Sequence, residues 1–263
     1  MSYLEAIVLG VIQGLTEFLP ISSSGHLEII KAFFGNHVET EESFFLTILL
    51  HVATALSTVV VFKKEILEIL KGLLQFNQND STSFSLKIIL SMTPAALVGL
   101  FFQNDIEQLF SQNLILVGLM LLITSLILFL ADKARVTNKE VSSLNAIILG
   151  IVQAIAILPG ISRSGSTIAT AVILGIDREK AARFSFLMVV PLIFGSMAKT
   201  ISDSNLVIQK IELIPLLLSF FSAFVTGIIA CKWMIRLVKK SQLKYFSIYC
   251  LVIGLIVIMY GLF

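Results

Sequence analysis

Apolar residues run along this chain in long blocks. Six blocks are long or apolar enough to cross a bilayer, at residues 44–62, 88–102, 114–131, 184–198, 213–231 and 245–263, against the roughly 20 residues a helical span needs. Two of the shorter ones carry a proline, Pro94 and Pro191. A membrane helix tolerates this when neighbouring groups take up the freed carbonyl, and flanking residues complete the span. Two further blocks behave differently. Residues 4–19 and 144–158 each stop at a break rich in Pro, Ser and Gly and then resume as another short apolar piece. This pattern predicts two re-entrant helical hairpins.

Composition excludes a soluble domain. Of 263 residues, 57% are hydrophobic and only 14% charged, and the mean hydropathy is +0.96; a soluble fold needs more polar surface. The expected class is an all-α integral membrane protein of six transmembrane helices plus the two re-entrant hairpins. A net charge of +2 gives no sign of a nucleic-acid partner. The first residues lack the basic flank and small-residue cleavage site of a secretory signal, so the first apolar block is expected to stay in the mature protein. Cys231 and Cys250 have neither CxxC nor zinc spacing, and both are expected as buried, reduced thiols.

The distribution of charge orients the spans, because short cytoplasmic loops hold an excess of Lys and Arg. Lys63, Lys64, Lys71 and Lys87 follow the first span, Lys133, Arg135 and Lys139 the third, and Lys232, Arg236, Lys239, Lys240 and Lys244 the fifth. All three loops belong inside. Residues 104–113 have Asp105 and Glu107 but no Lys or Arg, which suits an outside loop. Glu39, Glu41 and Glu42 read as a solvated outer loop, and Arg178, Lys180 and Arg183 as a positive-inside cluster. Both termini are then external. The first hairpin dips in from the outer face and the second from the cytoplasm.

A repeat emerges from the residues independently. Ala6-Ile-Val-Leu-Gly-Val-Ile-Gln13 matches Ala146-Ile-Ile-Leu-Gly-Ile-Val-Gln153, and Ser22, Ser24 and Gly25 match Ser162, Ser164 and Gly165 at the same spacing. Residues 1–263 thus form one membrane domain, with repeat one at 1–131, repeat two at 142–263 and a cytoplasmic linker at 132–141. Each half holds one hairpin and three spans, an odd number of crossings, so the halves insert in opposite senses. Such inverted-topology repeats place their sites near the midplane, where broken helix ends meet. The two breaks are expected to face each other there.

The chemistry of the breaks points to an oxyanion. Gln13 and Glu17 are four residues apart and share a helix face. Ser22, Ser23 and Ser24 offer hydroxyls and amides, Gly25 lets backbone approach closely, and His26 opens the next helical piece. In Pro159-Gly-Ile-Ser-Arg-Ser-Gly-Ser-Thr167, the arginine in an apolar setting needs an anion. Its planar fork suits phosphate oxygens. Ser162, Ser164, Ser166 and Thr167 add donors, and the N-terminus of the helix running on from Gly165 favours an anion further. The set fits phosphate or diphosphate. His51 and Lys87 read as snorkelling or helix-contact residues.

Together, Gln13-x-x-x-Glu17, the following Phe-Leu-Pro-Ile-Ser-Ser-Ser-Gly-His26 and the Pro159–Thr167 motif resemble the bacterial undecaprenyl-diphosphate phosphatase family associated with bacitracin resistance. The similarity runs the length of the chain. It implies hydrolysis of the terminal phosphate of a C55 polyprenyl diphosphate lipid, at a site open to the external face of the plasma membrane, recycling the carrier for peptidoglycan and other wall polymers. By position it assigns Glu17, Ser23 and His26 as catalytic residues. Gln13, Ser22, Ser24, Ser162, Arg163, Ser164, Gly165 and Thr167 then form the substrate-binding set. Gln13 cannot exchange a proton, so Glu17 must carry any carboxylate chemistry. Two routes stand open. Ser23 or His26 attacks the terminal phosphorus with Glu17 as base or orienting group, while Arg163 and backbone amides stabilise equatorial charge. Alternatively, Glu17 holds a divalent cation, Mg2+ or Ca2+, that activates water directly. The rival reading from another class is a lipid or anion transporter or flippase, because inverted repeats with discontinuous helices also mark transporters.

Overall fold

Helices begin where the sequence supplies caps. In this computed structural model, which describes residues 2–34, 40–75, 79–102, 113–203 and 213–262, Ser2 and Glu5 close a reciprocal capping box at the head of α1, Tyr3–Phe18. Each satisfies an amide that the first turn leaves without a partner. Asn79 caps α5, Asp80–Phe101. Asn113 caps α6, Leu114–Asp132. Ser142 caps α7, Ser143–Ile155, and Ser162 caps α8, Arg163–Ile173. The remaining helices are α2, Ser23–Phe34; α3, Thr40–Val61; α4, Lys63–Leu74; α9, Arg178–Asp203; α10, Leu213–Lys239; and α11, Lys244–Leu262. No strand occurs among the described residues.

Five of these helices are long and apolar enough to cross a membrane, and α3 with α4 makes a sixth if that bent pair is one span. The chain is a multi-pass helical membrane protein. Its outer residues agree: Phe101, Ile229 and Ile256 are among many large apolar side chains left exposed, as expected where lipid is the solvent. The spans are longer than their apolar blocks. Residues 184–198 sit inside the helix Arg178–Asp203, and 213–231 inside Leu213–Lys239, because polar residues at the ends continue the helix into the interfacial zone.

Small residues let the helices approach. A Cβ at Gly10 or Gly14 of α1 would strike the backbone of Ser219 or Ala223 on α10, and one at Gly150 of α7 would strike Ser91 on α5. Thus α1 lies on α10, and α7 lies on α5. Helices α6 and α11 meet at Gly118 and Gly254. They are cross-linked by Ser125 and Ser247, each hydroxyl donating to the other's carbonyl at 2.7 and 2.8 Å. The largest core cluster surrounds hairpin two and α9, with Leu121, Leu149, Ile168, Phe184 and Met188 buried. Cys231 and Cys250 are buried free thiols, as expected.

Two features go beyond the sequence reading. The basic stretch after the first span is not a simple loop: α4 turns 78° from α3, its Ile66 and Ile69 packed on the core while Leu67, Leu70 and Leu74 stay exposed. Arg178, of the positive-inside cluster, also has a structural task that its sequence setting does not announce. It is 5% exposed, and its Nη2 donates to the carbonyls of Ala131, Asp132 and Ala134 at the end of α6, where orphan carbonyls and the helix dipole favour a cation. Lys180 does reach solvent and pairs with Glu140 at 2.7 Å. That contact holds the Glu140 carboxyl below its ordinary range. Glu39, the side chains of Glu41 and Glu42, and all but Asn113 of the 104–113 loop lie outside the described residues.

Candidate active site

Both hairpins turn through a left-handed residue. In hairpin two this is Gly160, φ +99°, which needs no side chain to adopt it. In hairpin one it is Ser22, φ +72°, a conformation that costs a non-glycine residue on the order of 1–3 kcal/mol. The breaks then press together. A Cβ on Gly25 would meet the Gly160 Cα at 3.0 Å, and one on Gly165 would meet the Pro20 Cβ at 3.0 Å. Each glycine therefore lets the opposite hairpin come within backbone reach.

That approach brings Arg163 to Glu17. The guanidinium Nη2 pairs with Glu17 Oε1, across 146 residues of sequence. The other carboxylate oxygen, Oε2, accepts from Ser23 Oγ at 2.7 Å and from Gln13 Nε2 at 3.0 Å. Glu17 is 5% exposed, so its charge survives burial through these donors. Ser164 Oγ donates to the Glu17 carbonyl at 3.2 Å, tying the end of α1 to the start of α8. Gln13 is fully buried, and its Oε1 has no hydrogen-bond partner among the described residues. An orphan acceptor beside a carboxylate is a place for a water or a protonated ligand oxygen.

A cavity opens from this cluster. Glu17 and Arg163 form its charged end, Thr54 and Thr58 of α3 one wall, and Phe18, Phe186, Val189 and Ile193 an apolar wall. The cavity thus sets a guanidinium and a carboxylate against two threonines and hydrocarbon. The family model described as Bacitracin resistance protein BacA matches residues 6–256. The chain belongs to that family. It is 58% identical to the undecaprenyl-diphosphatase of Christiangramia forsetii over 99% of both chains. It is 48% identical to that of Parabacteroides distasonis and 46% identical to that of Bacteroides fragilis, each over 98% of both chains.

In this member of the BacA family the expected site residues divide into three groups. Gln13, Glu17, Ser23 and Arg163 are joined in one contact set, with Ser164 attached to it. Ser162 and Gly165 build the scaffold, the serine oxygen accepting from the glycine amide at 3.0 Å as an N-cap. Thr167 does likewise, its hydroxyl donating to the Arg163 carbonyl at 2.8 Å and meeting Ser185. Ser22 and Ser24 contact each other at 3.3 Å and do not reach Glu17. His26 also points elsewhere. Its Nδ1 meets the Ser22 carbonyl at 2.7 Å, and its Nε2 meets the Tyr249 hydroxyl of α11 at 2.8 Å, with the two rings stacked.

The imidazole that does face Glu17 is His51 on α3, whose Nε2 stands 3.6 Å from Oε2. Of the two roles read for it, snorkelling or helix contact, this is the helix contact, made at the carboxylate itself. Nothing in the local sequence signals it, because the partner lies on another helix. Thr124 of α6 is a second missed residue: it donates to the Gly160 carbonyl at 3.2 Å and accepts from the Ser162 amide at 3.0 Å, which fixes the turn before Arg163. The donor set does not fit a divalent cation held by protein ligands alone. Both Glu17 oxygens already accept from Arg163, Ser23 and Gln13, and no group of three His, Cys, Asp or Glu side chains occurs among the described residues.

Proposed function

We propose that this chain hydrolyses the terminal phosphate of undecaprenyl diphosphate, releasing inorganic phosphate and leaving undecaprenyl phosphate as a reusable carrier for cell-wall polymers. The observation that carries this reading is the Ser23 hydroxyl donating to Glu17 at 2.7 Å while Arg163 holds the opposite carboxylate oxygen. A serine donating to a carboxylate is a nucleophile beside its base. An arginine at the same point is a ready partner for the charge that builds on a transferring phosphoryl group. The relatives named above carry the name of a diphosphatase, which favours hydrolysis over transport. Phe18, Phe186, Val189 and Ile193 place apolar side chains beside the charged pair, the side from which a lipid-borne diphosphate would approach.

In this mechanism Arg163 turns from Glu17 to the terminal phosphate as substrate enters, and Ser164 and the amides at the head of α8 complete the anion's surroundings. Ser23 attacks in line and Glu17 takes its proton. Water then releases the phosphate from Ser23. The site opens to the external face of the plasma membrane, at the meeting of two inverted halves. Support for the repeat comes from exchange of contacts: α1 on α10 is mirrored by α7 on α5, and Gly25 against Gly160 by Gly165 against Pro20. Six spans and two hairpins follow if α3 with α4 counts as one crossing.

Purified protein in detergent, given farnesyl or undecaprenyl diphosphate, is expected to release inorganic phosphate, since hydrolysis needs no sealed membrane. Glu17→Ala and Arg163→Ala should each lower the rate by a factor on the order of 10² to 10⁴. Parent-like release from both would overturn the assignment. A rapid quench should trap phosphate on Ser23, and single turnover in isotope-labelled water should place one label in the phosphate. For topology, a cysteine introduced at Asn104 should be labelled from outside and Lys239→Cys from inside.

A further inference from the structure

Turnover at a Ser23–Glu17 pair creates a proton that Glu17 cannot keep. When Ser23 Oγ bonds to the terminal phosphorus, the bond from phosphorus to the bridging oxygen breaks and its electron pair leaves with the lipid monophosphate; the hydroxyl proton goes to Glu17 Oε2. In the second half-reaction water displaces Ser23, giving inorganic phosphate, and the proton that water gives up replaces the one returned to Ser23. With the substrate terminus and both products ionised, one proton is left over per turnover. Glu17 is a poor store for it. By then Arg163 faces the phosphate and Ser23 has lost its hydrogen, so the carboxyl sits 5% exposed with Gln13 still donating to Oε2, and it must shed the proton before it can act as base in the next turnover.

His51 is built to take that proton. Its Nδ1 lies 2.8 Å from the Thr47 carbonyl, which can only accept, so Nδ1 carries hydrogen and the neutral ring keeps its lone pair on Nε2. That nitrogen is the one facing Glu17 Oε2, at 3.6 Å, a separation that a small ring movement or one bridging water closes. The exposures run in the useful direction: the Glu17 side chain is 4% exposed and that of His51 29%. His51 also lies one turn before Thr54 and Ala55, which line the cavity. The alternative imidazole, His26, has both nitrogens engaged by the Ser22 carbonyl and the Tyr249 hydroxyl.

We infer that His51 is the proton-carrying partner of Glu17, receiving the Ser23 proton through the carboxylate and passing it on through its more exposed ring. The inference rests on the serine–carboxylate reading above. His51 acts through Glu17 and is therefore a positioning residue rather than a catalytic one. It supplies the second proton-exchanging group that Gln13 cannot.

The test uses full-length protein in detergent with farnesyl diphosphate. His51→Gln keeps a hydrogen-bonding side chain of similar reach but cannot carry a proton, and should lower kcat about 10²-fold with KM close to the parent's. His51→Ala should fall as far and recover when imidazole is added to the assay, a response that loss of packing would not give. Parent-like kcat in His51→Gln, an effect confined to KM, or a His51→Ala defect that imidazole leaves unchanged would each overturn the proposal. Glu17→Gln, measured alongside, separates the two readings. If it retains turnover the serine–carboxylate mechanism itself falls, whereas an inactive Glu17→Gln beside a fully active His51→Gln removes only the role of His51.

Discussion

The two hairpins start from nearly the same sequence and end with different work. Gln13 and Gln153 occupy matching, fully buried positions, but only Gln13 has a carboxylate one turn later; Ile157 stands where Glu17 would be. Gln13 accordingly donates to Glu17, whereas neither polar atom of Gln153 has a hydrogen-bond partner among the described residues. At the next matching position Ser23 in one break faces Arg163 in the other. The breaks are also braced from opposite helices. Thr124 of α6 holds Gly160 and Ser162 through two hydrogen bonds, while Cys250 of α11 offers the Pro20 carbonyl only a thiol at 3.7 Å. On the proposed mechanism, acid and nucleophile come from one hairpin and the cation from the other, so neither hairpin alone supplies the whole proposed site.

The sharpest way to break this comparison is to remove the serine from each side. Ser23→Ala should reduce phosphate release by a factor on the order of 10³, because the group that shares a proton with Glu17 is gone. Ser162→Ala should leave the chemistry in place and cost about 1 kcal/mol of stability, since that oxygen caps α8. Phosphate release and thermal unfolding measured on both proteins check the pair. Equal losses of turnover would mean that hairpin two also supplies a hydroxyl to the reaction.

How much of this was legible follows from where partners lie. The Gln13 to Glu17 pair could be read because both residues sit on one helix at a fixed spacing. Arg163 could be read because a guanidinium in an apolar block must find an anion, and its meeting with Glu17 followed from the repeat. His51 could not, because Glu17 lies on a different helix and an imidazole among apolar residues has no local sign of its partner. The direction of His26 was equally hidden: the sequence places it one turn along α2 but does not say that this turn faces Tyr249. The capping task of Arg178 was hidden within its positive-inside cluster because the carbonyls it caps end a helix 44 to 47 residues earlier. Helix α4 was missed because its charges, Lys63, Lys64 and Lys71, were read as a cytoplasmic loop, although Ile66, Leu67, Ile69, Leu70, Leu73 and Leu74 recur at helical spacing.

A smaller effect should come from the glycines that let the hairpins touch. Gly165→Ala places a methyl 2.9 Å from the Ser162 Cβ and 3.0 Å from Pro20, and Gly25→Ala places one 3.0 Å from the Gly160 backbone. Overpacking of this kind costs about 1–3 kcal/mol. Each substitution should also lower turnover, by moving Arg163 away from Glu17. Unfolding in detergent and phosphate release read the two effects separately. Loss of stability in Gly165→Ala with full turnover would show that the close approach serves folding alone.

The left-handed residues separate the hairpins once more, and the smallest effect of all belongs to Ser22. Gly160→Ala forces a side chain into φ +99° and against the backbone of Val117, so it should destabilise by more than about 1 kcal/mol. Ser22→Gly works the other way. Glycine adopts φ +72° without strain, and the lost hydroxyl cap on the Gly25 amide, at 3.2 Å, is worth only a few tenths of a kcal/mol when glycine replaces serine. The freer unfolded chain offsets part of the gain, leaving stability within about 1 kcal/mol of the parent. The Ser22 carbonyl that meets His26 belongs to the backbone and survives the change, so turnover should stay close to the parent's. A marked rise in KM for farnesyl diphosphate would instead make the Ser22 hydroxyl a substrate ligand, and hairpin one would then bind phosphate as well as cleave it.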